Sequence, residues 1–159
     1  MASKKVMVVL EDQGLVGELT DLACQLATGM EADLIMLHVV QVPIATPLGA
    51  PNEILDEEGQ KILAMAAKLA EGKVPAAVST QLVRARNASE AIISEAGEQD
   101  VDLLIIGHPR QHELSEFLLG STARYVAHHA PCRVIVQIPA PSTPKAQAVL
   151  VTGPVLASC

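Results

Sequence analysis

Leu103-Leu-Ile-Ile-Gly-His-Pro-Arg-Gln-His-Glu-Leu-Ser-Glu-Phe-Leu-Leu-Gly-Ser-Thr122 reads as an apolar strand joined to a helix by a loop that opens on Gly107 and closes on Gly120-Ser121-Thr122. An unbroken aliphatic run of this length marks a strand buried on both faces of a parallel sheet. Glycine at its carboxyl end lets backbone N–H groups turn toward whatever lies above the sheet. A second glycine followed by two hydroxyl residues at a helix start adds unpaired amides and the positive end of the helix dipole, which suits phosphate oxygens. A purely structural loop with a glycine turn and a Ser or Thr cap has the same spelling.

Working outward, apolar runs of strand length alternate with segments of helical period, the pattern of an α/β domain with a parallel sheet. Strands are expected at residues 5–10, 33–40, 78–83, 102–107 and 133–138. Helices are expected at 14–29, 53–73, 87–99 and 121–130. In the first, Leu15, Leu19, Leu22, Ala23, Leu26 and Ala27 share one face. In the second, Ile54, Ile62, Leu63, Met65, Ala66 and Leu69 form the apolar set. Asn87 is placed to cap the third helix, with Glu90 three residues on. Between the second strand and second helix, Pro43, Pro47, Gly49 and Pro51 break any regular element, leaving a surface connection or a lid. The domain is expected to span 1–138, and residues 139–159 to form a Pro-rich extension ending in a small apolar patch.

A chain of 159 residues can bury a full core without metal or disulfide. That core must be aliphatic, since Phe117 and Tyr125 are the only aromatic residues, and base stacking on aromatic platforms is nearly excluded. A net charge of −7 argues against a nucleic-acid or anionic-membrane surface, though backbone dipoles can still hold a small anion. Cys24, Cys132 and Cys159 are odd in number and far apart, which suits a reducing cytoplasm. The first apolar run breaks at Glu11, too soon for a secretory signal, and no run reaches the roughly 20 residues of a membrane span. A cytoplasmic location is the expectation.

Strand one ends in Glu11-Asp12, two carboxylates at the carboxyl edge, where open α/β sheets bind their ligands. Either could face ribose hydroxyls, an adenine amine or a divalent cation beside phosphate, and Asp12 could equally cap the helix that follows. The chain has no G-x-S-x-G elbow and no Walker G-K-[ST], so neither acyl-transfer nor P-loop chemistry is expected. His108 and His112 stand four apart, but Pro109 between them makes a helical metal pair a poor fit. His128 and His129 precede Pro131 at a helix end and read as dipole-favoured or solvated side chains. No catalytic set and no metal site is expected.

With its acidic first-strand end, Leu37-His38-Val39 closing strand two, the 107–122 loop, and Ala130-Pro131-Cys132-Arg133-Val134-Ile135-Val136, the chain resembles the universal stress protein family from residue 5 to about 138. The resemblance implies a five-stranded parallel open sheet in the order 3-2-1-4-5, helices on both faces, of the Rossmann-like, adenine nucleotide alpha hydrolase-like kind. In the nucleotide-binding branch the loop reads Gly, two residues, Gly, nine residues, Gly, then Ser or Thr. Gly107, Gly120, Ser121 and Thr122 fall on that pattern, and Arg110 stands at the middle glycine. The family's first-strand aspartate falls on Glu11, its adenine-facing valine on Val39, a common proline on Val9, and a common glycine on Arg86.

Two functions follow. One is a stress-response sensor that binds ATP or another adenine nucleotide, with or without magnesium, through Val9, Glu11, Val39, Gly107, Arg110, Gly120, Ser121 and Thr122. The other is an interaction module of the same fold in which Arg110 closes the pocket. Arginine at 110 either obstructs or grips phosphate with its guanidinium fork. Both readings include a homodimer joined through strand 133–138, and neither includes nucleic acid or a membrane; a weak nucleotide hydrolase is a third, minor reading, for which no positioned base is identifiable.

Overall fold

A computed structural model describes residues 3–108 and 120–140. Five parallel strands, β1 (Lys5–Val9), β2 (Asp33–Gln41), β3 (Val78–Ala85), β4 (Leu103–Gly107) and β5 (Arg133–Gln137), form one sheet in the order β3-β2-β1-β4-β5. The chain winds outward from β1 through β2 to β3, then crosses to β4 and β5. The strand order therefore reverses between β1 and β4, at the crevice where such sheets bind ligands.

Period-2 alternation divides the strand side chains between two cores. Val6, Val8, Leu34, Met36, Leu103 and Ile105 face α1 (Val16–Met30) and α2 (Glu53–Ala70). Met7, Val9, Ile35, Leu37, Val39, Leu104 and Ile106 face α3 (Ala88–Glu98) and α4 (Ser121–His129). Both are aliphatic, as the composition requires.

Several boundaries differ from the sequence reading for identifiable reasons. A 3-10 turn at Gln13–Leu15 precedes α1 because the Asp12 carboxylate accepts the Gly14 amide at 2.9 Å. Asp12 is thus a cap. α2 ends at Ala70 rather than residue 73, since the following turn puts Gly72 at φ +76°. Strand β3 runs two residues further than expected because Arg84 and Ala85 pair with Val40 and Gln41. On α2 only Ile62, Leu63, Ala66 and other small residues are buried, whereas Ile54, Met65 and Leu69 are exposed. Asn52 and Asn87 cap α2 and α3 through the Leu55 and Glu90 amides.

Residues 42–52 are two successive turns closed by Thr46 N–H to the Pro43 carbonyl and Ala50 N–H to the Pro47 carbonyl. Two arginines at the end of β3 tie them down. The Arg86 guanidinium donates to the carbonyls of Pro43 and, at 2.6 Å, Thr46. Arg84 donates to the Ala50 carbonyl at 2.6 Å and pairs with Asp56 of α2. The connection is a fastened surface element.

Candidate functional site at the carboxyl edge of β1 and β4

β1 and β4 stay in register to Val9 opposite Ile106, so Leu10 and Glu11 leave the sheet beside Gly107 and His108. On the other side, pairing of β1 with β2 ends at Val9 opposite Leu37, with one more bond from the Leu10 amide to the Leu37 carbonyl at 2.8 Å. β2 continues past this point to Gln41. Successive residues of a parallel strand direct their main-chain groups to alternate neighbours, and Leu37 faces β1. Val39 therefore turns its N–H and C=O toward the space where β1 has ended.

The Leu10 carbonyl, which continued parallel pairing would direct to Val39, is held instead by the His38 imidazole, with Nδ1 2.6 Å away. His38 is nearly buried, and donating from Nδ1 to a carbonyl fixes its proton there. Glu11 follows immediately. The residue is exposed, yet desolvation of the carboxyl by its surroundings pushes its pKa up from the ordinary value, and the nearby His38 works in the opposite direction.

Across the switch point, Gly107 and Gly120 mark the two ends of the loop, and each packs closely against a neighbouring side chain. Positive φ among the described glycines occurs at Gly72. A β-carbon on Gly107 would come 2.8 Å from Leu19 Cδ1 and 3.2 Å from Leu15 Cδ1, so its absence lets the start of α1 close on β4. Gly120, at φ −58°, is the residue before α4, and a β-carbon there would press on the His108 imidazole at 3.3 Å. The Gly120 amide donates to His108 Nδ1 at 3.4 Å. Ser121 and Thr122 lie within the first turn of α4, Ser121 exposed and Thr122 half-buried, and no side chain caps the helix. The first-turn amides lack intrahelical acceptors, as at any helix start, and point out of the amino end.

The expected residues divide by what they can offer. Glu11, Gly107, Gly120, Ser121 and Thr122 gather at the β1–β4 edge. Val9 is 1% exposed and Val39 6%, both packed in the α3–α4 core, so their side chains are spent there and only their backbones can meet a ligand. Arg110 and His112 lie outside the described residues. Arg86, at the position of a common family glycine, is engaged with the 42–46 turn. The sequence reading did not pair His38 with Leu10 or His108 with Gly120; the available signals were a lone histidine inside one aliphatic strand and another directly after a second such strand.

Among the described residues no group of His, Cys, Asp and Glu side chains is arranged to hold a metal ion. Burial pushes the thiols of Cys24 and Cys132 up, so neither is an activated nucleophile. Among the described helices none is long and apolar enough to cross a membrane.

A five-stranded doubly wound sheet with helices on both faces, an acidic β1 end and an open helix start across the switch point is the architecture of a Rossmann-like α/β domain. The model of the universal stress protein family matches residues 2–137, and the chain belongs to that family. A universal stress protein of Methanothermobacter thermautotrophicus is 32% identical over 123 residues, covering 74% of this chain and 84% of that one. Among solved structures, a universal stress protein in complex with cAMP superposes with a TM-score of 0.67 at 21% identity, over 88% of this chain and all of the other. The Archaeoglobus fulgidus universal stress protein in complex with dAMP gives a TM-score of 0.65 at 19% identity, covering 85% of this chain and 97% of that one.

Proposed function

We propose that the chain binds an adenine nucleotide at the β1–β4 edge and serves as a cytoplasmic, dimeric stress-response sensor that does not turn its ligand over. The observation that carries this reading is the placement of an uncapped helix start, Gly120-Ser121-Thr122, across the switch point from the Glu11 carboxylate. The α4 amides and dipole suit a phosphate; Glu11 and the backbone of Val39 suit the ribose and base. Family membership supports it, as do the cAMP and dAMP held by structural relatives. ATP, with or without magnesium, and AMP are the candidate ligands. Mass spectrometry of protein purified under native conditions, with and without chelator, tests this: co-purified ATP, ADP or AMP is the expected result, and ligand-free protein that ignores all three in calorimetry overturns it.

A second reading, an adaptor that binds no nucleotide, draws on Arg86 and Arg110 standing at family glycine positions. Arg110→Gly separates the two. If the side chain obstructs the pocket, nucleotide affinity rises; if it grips phosphate, affinity falls roughly ten- to a hundredfold through loss of a charge-assisted pair.

A further inference from the structure

We propose that His108 is a positioning residue for the phosphate end of the site, acting through Gly120. The inference rests on the nucleotide reading above and adds a residue to it. His108 follows the last residue of β4, and its own amide donates to the Gln137 carbonyl at 2.9 Å, so its backbone is anchored to β5. Only 9% of the residue is exposed. From this fixed base the imidazole takes the Gly120 amide on Nδ1 at 3.4 Å, across 12 residues of sequence.

A helix normally orders its first turn with an Asn, Asp, Ser or Thr side chain at the preceding residue. Here that residue is glycine and no side chain caps. The imidazole supplies the missing restraint from outside, by holding the N–H of Gly120 rather than the amides of the first turn. Those amides of Ser121 and Thr122 stay open to an anion while the backbone that aims them is held. The contact also bears on the glycine: φ −58° suits any residue, but a β-carbon would lie a tight 3.3 Å from both Cε1 and Nδ1 of His108, and the ring would have to shift to admit it. Accepting on Nδ1 requires the ring to carry its proton on Nε2 and to be neutral.

The test reads the link with and without nucleotide. In ligand-free wild-type protein the imidazole 15N shifts should report the Nε2-protonated tautomer; an Nδ1-protonated ring overturns the proposal without any variant. In His108→Leu the Gly120 amide proton should move upfield and AMP affinity fall about three- to tenfold. His108→Asn, whose Oδ1 can stand in for Nδ1, should restore both. A Gly120 resonance unmoved in His108→Leu, or Asn no better than Leu in a folded protein, sinks the role. If the wild type binds no adenine nucleotide, the functional reading fails while the tautomer and the Gly120 resonance still decide the His108–Gly120 link.

Discussion

Gly59 of α2 stands against the ring of His38 on β2: a β-carbon at Gly59 would lie 2.6 Å from His38 Cδ2 and 2.7 Å from Leu82 Cδ1. Ala in place of a mid-helix glycine ordinarily gains about 1 kcal/mol. Here the ring cannot retreat without giving up its bond to the Leu10 carbonyl, and overpacking costs about 1–3 kcal/mol. Gly59→Ala is therefore expected to lower stability by up to about 2 kcal/mol in urea unfolding, the reverse of its helix propensity. A gain would show that α2 can shift freely over the sheet.

The strands and the clustering of Glu11, Gly107, Gly120 and Ser121 at one sheet edge were legible because both rest on local signals: aliphatic runs, and turn residues at their carboxyl ends. The reasons behind several residues were not. Gly107 reads as a backbone-freedom glycine and Gly120 as a source of open helix-start amides, yet a β-carbon would also crowd Leu19 at the first and press on the His108 ring at the second. Arg86 reads as a departure at a glycine position, yet its guanidinium reaches carbonyls 40 and 43 residues away. Side-chain bonds across such separations have no period and leave no trace in hydrophobic pattern. Ile54, Met65 and Leu69 fitted an apolar helical set, but α2 already fills its contact with the sheet using Ile62, Leu63 and Ala66, and the others face outward.

Glu11 sets a pH dependence. Its folded-state pKa is raised above the ordinary value, chiefly by desolvation. The folded protein therefore holds the proton more tightly than the unfolded chain, and stability falls as pH rises from the ordinary carboxylate range through the raised pKa. Glu11→Gln, neutral at every pH, should melt higher than wild type at pH 7. The difference should vanish below the ordinary carboxylate pKa. An unchanged gap in thermal melts from pH 3 to pH 7 would rule out Glu11 as its source.

Helices α1 and α3 end with Glu31 and Asp100 at φ 52°, each beside a bond from the next residue back into the last turn, Ala32 to Ala27 and Val101 to Ala96. The left-handed conformation suits glycine and, less well, Asp. Glu31→Gly should stabilise by about 0.5–1 kcal/mol and Asp100→Gly by less, judged by urea midpoints. Equal effects would mean that the Asp side chain brings no advantage at its site.

β5 is an edge strand whose Val134, Ile135 and Val136 remain half-exposed, with Leu26 and Met30 of α1 lining a groove beside it. Such an edge invites a second copy. The proposed homodimer should appear as a two-chain species in sedimentation velocity at micromolar concentration. Val136→Lys should shift it to one chain with an unchanged circular dichroism spectrum. Wild type that sediments as a monomer would move the interface off this strand or abolish it.

Arg84 and Arg86 fasten different halves of the 42–52 connection, and that division can be read amide by amide. Arg86 holds the carbonyl of Thr46, whose own N–H closes the first turn on Pro43. Arg84 holds the carbonyl of Ala50, whose N–H closes the second on Pro47. Charged donors are individually stronger than neutral ones, but these are partly solvated, so each arginine is expected to contribute about 1–1.5 kcal/mol to its own turn. In Arg86→Ala, hydrogen exchange at Thr46 should quicken about tenfold while Ala50 keeps its rate, since 1.4 kcal/mol corresponds to about a factor of ten. Arg84→Ala should do the reverse and also release Asp56 from its ion pair. If both amides quicken together in either variant, the two turns open as one unit.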